Sequence, residues 1–197
     1  MIPFPNKRFK VIYADPPWRY KDKSKSHGGG AESHYPCMSI EEICCLPVSS
    51  IADEDSILLM WTTFPQLEES LKVIKAWGFI YKTCAFTWVK TNSGGGLYMG
   101  MGRYTRANAE ICLLGKKGKG VPRKSAAVRN TQMFKRLRHS EKPKQFRELV
   151  SELFGDVPKI ELFARQSAEG WEVWGNETDK FDSKKQMTIF NHEGVKR

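Results

Sequence analysis

Phe9-Lys10-Val11-Ile12-Tyr13-Ala14-Asp15-Pro16-Pro17-Trp18 decides the architecture. A short apolar run broken only by Lys10 reads as a strand buried on both faces, as in a parallel α/β sheet. It stops at two prolines, which lack backbone N–H groups and cannot continue a ladder, so the chain leaves the sheet at Asp15. In open α/β sheets, ligands lie at the carboxyl ends of the strands. An acid at such an end marks a candidate active site.

The neighbouring residue types share a chemistry. Two prolines in series make a stiff turn whose carbonyls have no strand partner, so the Pro16 carbonyl is expected to be a free acceptor beside the Asp15 carboxylate. Trp18 offers a flat face on which a base can stack. Two acceptors converging on one point suit an adenine amino group. Accepting both of its hydrogens returns to nitrogen a lone pair otherwise delocalised into the ring, and readies it for a methyl sulfonium. The competing reading is a Pro-Pro turn that caps a strand, with Trp18 merely packed.

Beyond this stretch, strands and helices alternate. Ser39 and Glu42 make a capping box for a helix over residues 40–46, stopped by Pro47. Residues 56–61 read as a central parallel strand, and Pro65 opens a helix with Leu67, Leu71, Ile74 and Trp77 inward and Gly78 at its C-cap. Residues 79–89 and 110–114 are strands. The glycine-rich connection between them, residues 90–107, is long enough to imply function or mobility, but no helix follows its glycines as a phosphate loop would require. Pro143 starts a helix with Phe146, Leu149, Val150 and Leu153 inward and Gly155 ending it; residues 159–164 and 171–174 are the last strands. Residues 19–35 read as a mobile lid, and residues 180–197 as a polar tail behind a single domain over 1–179.

The net charge of +10 is localised: residues 116–147 hold twelve Lys or Arg and one acid, Glu141. Such a block is the footprint of a polyanion, here nucleic acid, and is expected to be poorly ordered without it. Five cysteines without a C-x-x-C spacing and four dispersed histidines point to reduced thiols and no metal site. With neither a signal peptide nor a membrane-length apolar stretch, the expectation is a soluble intracellular protein, cytoplasmic or, in a eukaryote, nuclear, without a membrane partner.

Taken in order, Ala14-Asp15-Pro16-Pro17-Trp18, Tyr35-x-x-Met38-Ser39, Trp88-Val89-Lys90-Thr91-Asn92, Lys142-Pro143 and Lys159-Ile160-Glu161-Leu162-Phe163-Ala164-Arg165 resemble one family. It is the adenine-N6 methyltransferases that include the catalytic subunit of the eukaryotic messenger-RNA methylation complex and bacterial and phage DNA-modifying relatives. The resemblance is collinear from about residue 9 to residue 177. It implies a Rossmann-like, S-adenosylmethionine-dependent methyltransferase fold in permuted order, with the catalytic strand first and the cofactor-binding strand, residues 159–164, near the end. Asp15, Pro16, Pro17, Trp18 and Tyr35 would then be catalytic: Asp15 meets both the amino group and the methionine part of S-adenosyl-L-methionine, Pro16 lends its carbonyl, and Trp18 and Tyr35 enclose the base. Lys142 would pair with the cofactor carboxylate, while Phe163, Arg165, Asn176 and Glu177 line its adenosine and ribose.

The sequence departs from the eukaryotic enzyme at Ser167-Ala168, where a His-Asn pair is expected, and at Glu177, where that enzyme has Gln. The catalytic strand also stands almost at the start of the chain, without the regions that deliver RNA to the eukaryotic enzyme, which points to the DNA-modifying branch. The function implied is N6 methylation of adenine in DNA. The alternatives are the same reaction on RNA, or an inactive nucleic-acid-binding partner subunit. Related enzymes pair through the loop equivalent to residues 90–107, so the resemblance also implies a homodimer or a heteromeric partner.

Overall fold

A computed structural model describes residues 3–19, 37–102, 104–138 and 141–176. The strand β1 (Phe9–Ala14) forms as expected, with every residue but Lys10 buried. Strands on both sides explain this: β2 (Ala52–Thr62) and β6 (Lys159–Leu162) both run parallel to it, with Tyr13 opposite Leu59 and Glu161. Adding β3 (Ile80–Thr91), β4 (Ala109–Lys117), β5 (Thr131–Lys135) and β7 (Glu172–Trp174) gives a seven-stranded sheet in the order β5-β3-β4-β2-β1-β6-β7.

The expected all-parallel sheet is corrected by β4, which is antiparallel to β2 and to β3. A strand enclosed in a sheet needs an apolar run whichever way it points, so Ile111-Cys112-Leu113 gives no sign of direction. The reversal matters for the site. β4 begins on the edge where the other strands end, which puts Glu110 on the same rim as Asp15.

Alternation along β1 divides the core. Ile12 and Ala14 pack in one layer with residues of α1 (Ile40–Cys44), α2 (Val48–Ile51) and α3 (Leu67–Ala76), whereas Val11 and Tyr13 pack in the other with α4 (Gln145–Phe154). Asp15, in phase with Tyr13, is delivered to the α4 side. There Phe146 fixes α4, its ring centroid lying 4.7 Å from that of Trp61, 5.1 Å from Phe134 and 5.4 Å from Phe86. Burial of one such side chain stabilises by about 1.5–3 kcal/mol. Lys142 and Pro143, just ahead of α4, therefore inherit a fixed position.

Helix ends follow local chemistry. The Glu42 N–H donates to Ser39 Oγ at 3.1 Å and the Ser39 N–H to Glu42 Oε2 at 2.7 Å, completing the capping box. α1 is nevertheless shorter than expected, and α2 follows Pro47. α3 opens behind a 3₁₀ turn, Phe64–Gln66, and Gly78 follows it at φ 83°. Its inner face is corrected to Ser70, Val73, Ile74 and Trp77, with Leu67 and Leu71 on an exposed flank. Burial of Ser70 costs little because its hydroxyl lies 2.6 Å from Thr62 Oγ1 and donates to the Gln66 carbonyl at 2.7 Å.

α4 ends as expected at Gly155, φ 75°, but its buried side also includes Arg147 and Phe154. The basic block is not an unstructured loop either. It contains β5, parallel to β3, and the Lys124 N–H donates to the Leu153 carbonyl at 2.7 Å, tying the block to α4. Among the described residues, no helix is long and apolar enough to cross a membrane. Most of the expected lid and all of the expected tail lie outside the described residues.

Candidate active site

β1 brings Asp15 to the rim, and the segment before α4 brings Lys142. Lys142 Nζ donates to Asp15 Oδ2 at 2.7 Å, lies 3.2 Å from Glu110 Oε2, and sits 5.5 Å from the centre of the Trp61 ring. Glu110 is also paired with Lys90 of β3. Asp15, Lys142, Glu110 and Lys90 thus form a chain of alternating charge, with side chains 12 to 22 % exposed.

Alternation decides the ionisation of this chain. Burial raises the Glu110 carboxyl, but Lys142 and Lys90 together outweigh it and hold the group below its ordinary value. At Lys142 burial favours loss of the proton, and the charges of Asp15 and Glu110 more than reverse that, so the ammonium is held well beyond the usual lysine range.

Beneath this chain, Arg147 Nη1 donates to Glu161 Oε2 at 2.8 Å, and Trp61 Nε1 donates to the Tyr13 hydroxyl at 2.6 Å. Here burial wins at both acids. It pushes the Glu161 carboxyl up despite Arg147, and it raises the Tyr13 phenol with help from Cys112 and Glu161. Tyr13, Arg147 and Glu161 line one cleft with Asp15, Lys142, Phe163 and Arg165. Phe163, directly after β6, has φ 61°, and its ring meets Trp174 edge-on with centroids 5.6 Å apart. It is the only non-glycine with positive φ among the described residues, a conformation costing about 1–3 kcal/mol that surrounding packing must hold.

Of the residues singled out from sequence, Asp15, Lys142, Phe163 and Arg165 come together in the cleft. Three others behave differently. The Pro16 carbonyl is not free: it accepts the Trp18 N–H at 2.9 Å, which leaves one of its two acceptor positions. The Pro17 carbonyl accepts the Met38 N–H at 2.9 Å. Trp18 is 4 % exposed, packs in the layer containing α1 to α3, and donates its indole N–H to the Trp61 carbonyl at 3.1 Å. A large ring with a buried acceptor in reach gains more by burial than by standing open. The expected stacking surface is therefore an anchor of the Pro-Pro turn. Asn176 is exposed and is not among the residues lining the cleft; Tyr35 and Glu177 lie outside the described residues.

Sequence reasoning missed Glu110, Arg147 and Glu161. A signal was available in two of them, a single charge set against apolar neighbours: Glu110 between Ala109 and Ile111, and Glu161 between Ile160 and Leu162; Arg147, beside Glu148, carries none.

Residues 9–177 match the MT-A70 family. The type II methyltransferase M.MunI of Mycoplasma sp is 41% identical over 190 residues, covering 88% of this chain and 79% of that protein. The N(6)-adenine-specific methyltransferase METTL4 of Homo sapiens is 27% identical over 190 residues, 89% of this chain and 38% of its own length. The non-catalytic subunit MTB of an N6-adenosine-methyltransferase from Arabidopsis thaliana is 31% identical over 116 residues, 56% of this chain and 14% of that one. The chain thus spans most of the Mycoplasma relative but well under half of the other two. Because the matched stretch takes in every strand of the sheet and the whole described rim around Asp15, the chain belongs to the MT-A70 family and is a methyltransferase.

Proposed function

We propose that this protein methylates the exocyclic N6 amino group of adenine in DNA at a defined site, using S-adenosyl-L-methionine. The observation that carries this reading is Asp15 at the carboxyl end of β1, paired with Lys142 in a cleft. Similarity to a type II methyltransferase over 88% of the chain supports DNA as the substrate.

The residues present fit the cofactor. Its methionine part carries an ammonium and a carboxylate, and the cleft offers an acid and a base side by side. An ammonium has three donor hydrogens, and Lys142 directs two toward Asp15 and Glu110, leaving one for a carboxylate. Asp15 and Lys142 would hold the methionine part, and Phe163, Arg165, Asn176 and Glu177 the adenosine side. When bound, the cofactor supplies an electrophilic methyl group on a sulfonium. The chain supplies orientation. The Asp15 carboxylate and the remaining acceptor position of Pro16 take the two amino hydrogens, which fixes the nitrogen and concentrates its lone pair. Trp18 contributes from beneath by holding the turn that aims the Pro16 carbonyl, and Tyr35 would cover the base.

Transfer of a labelled methyl group from S-adenosyl-L-methionine to DNA and RNA in parallel, followed by mass spectrometry of the nucleosides, tests the proposal. N6-methyldeoxyadenosine as the product supports it. N6-methyladenosine from RNA alone would move the substrate, N4-methyldeoxycytidine would move the base, and no product with intact cofactor binding would indicate a binding subunit.

A further inference from the structure

Tyr13 projects from β1 to the same side as Asp15, two residues on, and lines the same cleft. Only 1 % of it is exposed, so its ring offers no stacking face, and the group it can present is its hydroxyl. A phenol has one hydrogen to give and an oxygen that can accept. Trp61 Nε1, which can only donate, lies 2.6 Å from the Tyr13 oxygen. That bond therefore runs from Trp61 to Tyr13, and the phenolic hydrogen is left to point elsewhere. Among the described residues no acceptor takes it: Glu161 and Asp15 act on Tyr13 through charge alone, and Glu161 Oε2 receives Arg147. Burial first, then the neighbouring acids and Cys112, hold the phenol well above the ordinary tyrosine value, so the hydrogen stays on. A buried donor without an acceptor is costly, and a native structure that keeps one calls for a group that completes it.

Trp61 fixes where the hydroxyl stands. It belongs to β2, on the opposite side of β1 from β6, and its ring centre lies 5.5 Å from Lys142 Nζ. The phenol thus leans toward Lys142 and away from Phe163 and Arg165, which follow β6. Lys142 bonds to Asp15 and Glu110 and retains one hydrogen. Two donors, one charged and one neutral, are therefore gathered around a single indole beside Asp15. A carboxylate, which has two oxygens and only accepts, matches such a pair. An ammonium cannot accept from either.

We propose that the Tyr13 hydroxyl and the Lys142 ammonium together grip the carboxylate on the methionine part of the cofactor, one oxygen each, an assignment that rests on the cofactor reading above and adds Tyr13 to it. Tyr13 thereby makes the cleft select an intact amino-acid end and not merely a sulfonium attached to adenosine.

Calorimetric titration of parent and Tyr13→Phe with S-adenosyl-L-methionine and with decarboxylated S-adenosylmethionine, which keeps the ammonium, sulfonium and adenosine, tests this. Tyr13→Phe is expected to bind the complete cofactor about 10- to 100-fold more weakly than the parent, the loss of a hydrogen bond to a charged group, and the decarboxylated analogue within about threefold of it. A purely structural role would weaken both alike. Because phenylalanine leaves the Trp61 indole N–H without its acceptor, the comparison is repeated between Trp61→Phe and the Y13F/W61F double variant, in which no donor is stranded. A selective loss in either pair supports the contact. Its absence from both pairs, through equal loss on the two ligands or none on either, would overturn the role of Tyr13 and leave methyl transfer by the parent untouched. A selective loss together with a parent that transfers no methyl group to nucleic acid would overturn the proposed reaction and leave the Tyr13 contact standing. A parent that binds neither ligand removes both.

Discussion

Glu110 answers two ammonium groups with one carboxylate, and this makes it the residue whose charge the site can least lose. Its carboxyl is held below the ordinary 4.5 by Lys142 and Lys90 against the pull of burial. The folded state therefore binds that proton less tightly than the unfolded chain does. The stability Glu110 contributes is present above about pH 4.5 and is lost as pH falls through its lower folded value. Glu161 has the opposite sign: burial lifts its carboxyl, so it costs stability as pH rises through the raised value. Glu110→Gln should lower stability at neutral pH by about 3 kcal/mol, because two shielded ammoniums lose a counter-charge. It should also flatten the decline below pH 4.5, while Glu161 acts alike in both proteins. Urea unfolding between pH 3 and 7 measures both effects, and superimposable curves for parent and variant would refute the charge chain.

At the scale of elements, the packing of Phe146 holds α4 against the sheet and so places Lys142 just ahead of it. Phe146→Ala is expected to destabilise the protein by about 3–5 kcal/mol and to weaken S-adenosyl-L-methionine binding as well, since Lys142 loses its platform. Phe146→Leu should restore most of both. Denaturant unfolding and calorimetry separate these effects, and cofactor binding unchanged in a destabilised Phe146→Ala would detach α4 from the site. The ends of α4 were legible because Pro143 and Gly155 carry backbone requirements that a sequence displays openly. The stripe of α3 was misread because a serine with two hydrogen-bond partners can be buried, which hydropathy does not register. β5 was hidden because its apolar positions, Met133 and Phe134, are embedded in a run of cations, and its pairing with β3 is a long-range event. Asp15 could be read because strand, acid and proline are contiguous. Its pairing with Lys142, and the pairing of Lys142 with Glu110 behind it, could not, since these residues come together only through the order and direction of strands.

Across the whole molecule, the positive charge is divided between two tasks. Lys142 and Arg147 belong to the cleft, whereas Lys135, Arg136 and Arg138 are exposed at the carboxyl end of β5, on the rim that holds Asp15. Neutralising these three should weaken binding to DNA of any sequence by a similar factor. It should also flatten the slope of log affinity against log salt by up to about three units. Melting should hardly change, because exposed charges contribute little to stability. A salt titration with an unchanged slope would assign the cations to another partner. The most direct measurement is methyl transfer from labelled S-adenosyl-L-methionine to one adenine-containing duplex by parent, Asp15→Asn and Asp15→Ala, each shown to unfold cooperatively. Expected are N6-methyldeoxyadenosine from the parent, partial activity for Asp15→Asn because its amide oxygen still accepts, and a loss on the order of 10³-fold for Asp15→Ala; turnover by folded Asp15→Ala equal to that of the parent would contradict the assignment of the active site.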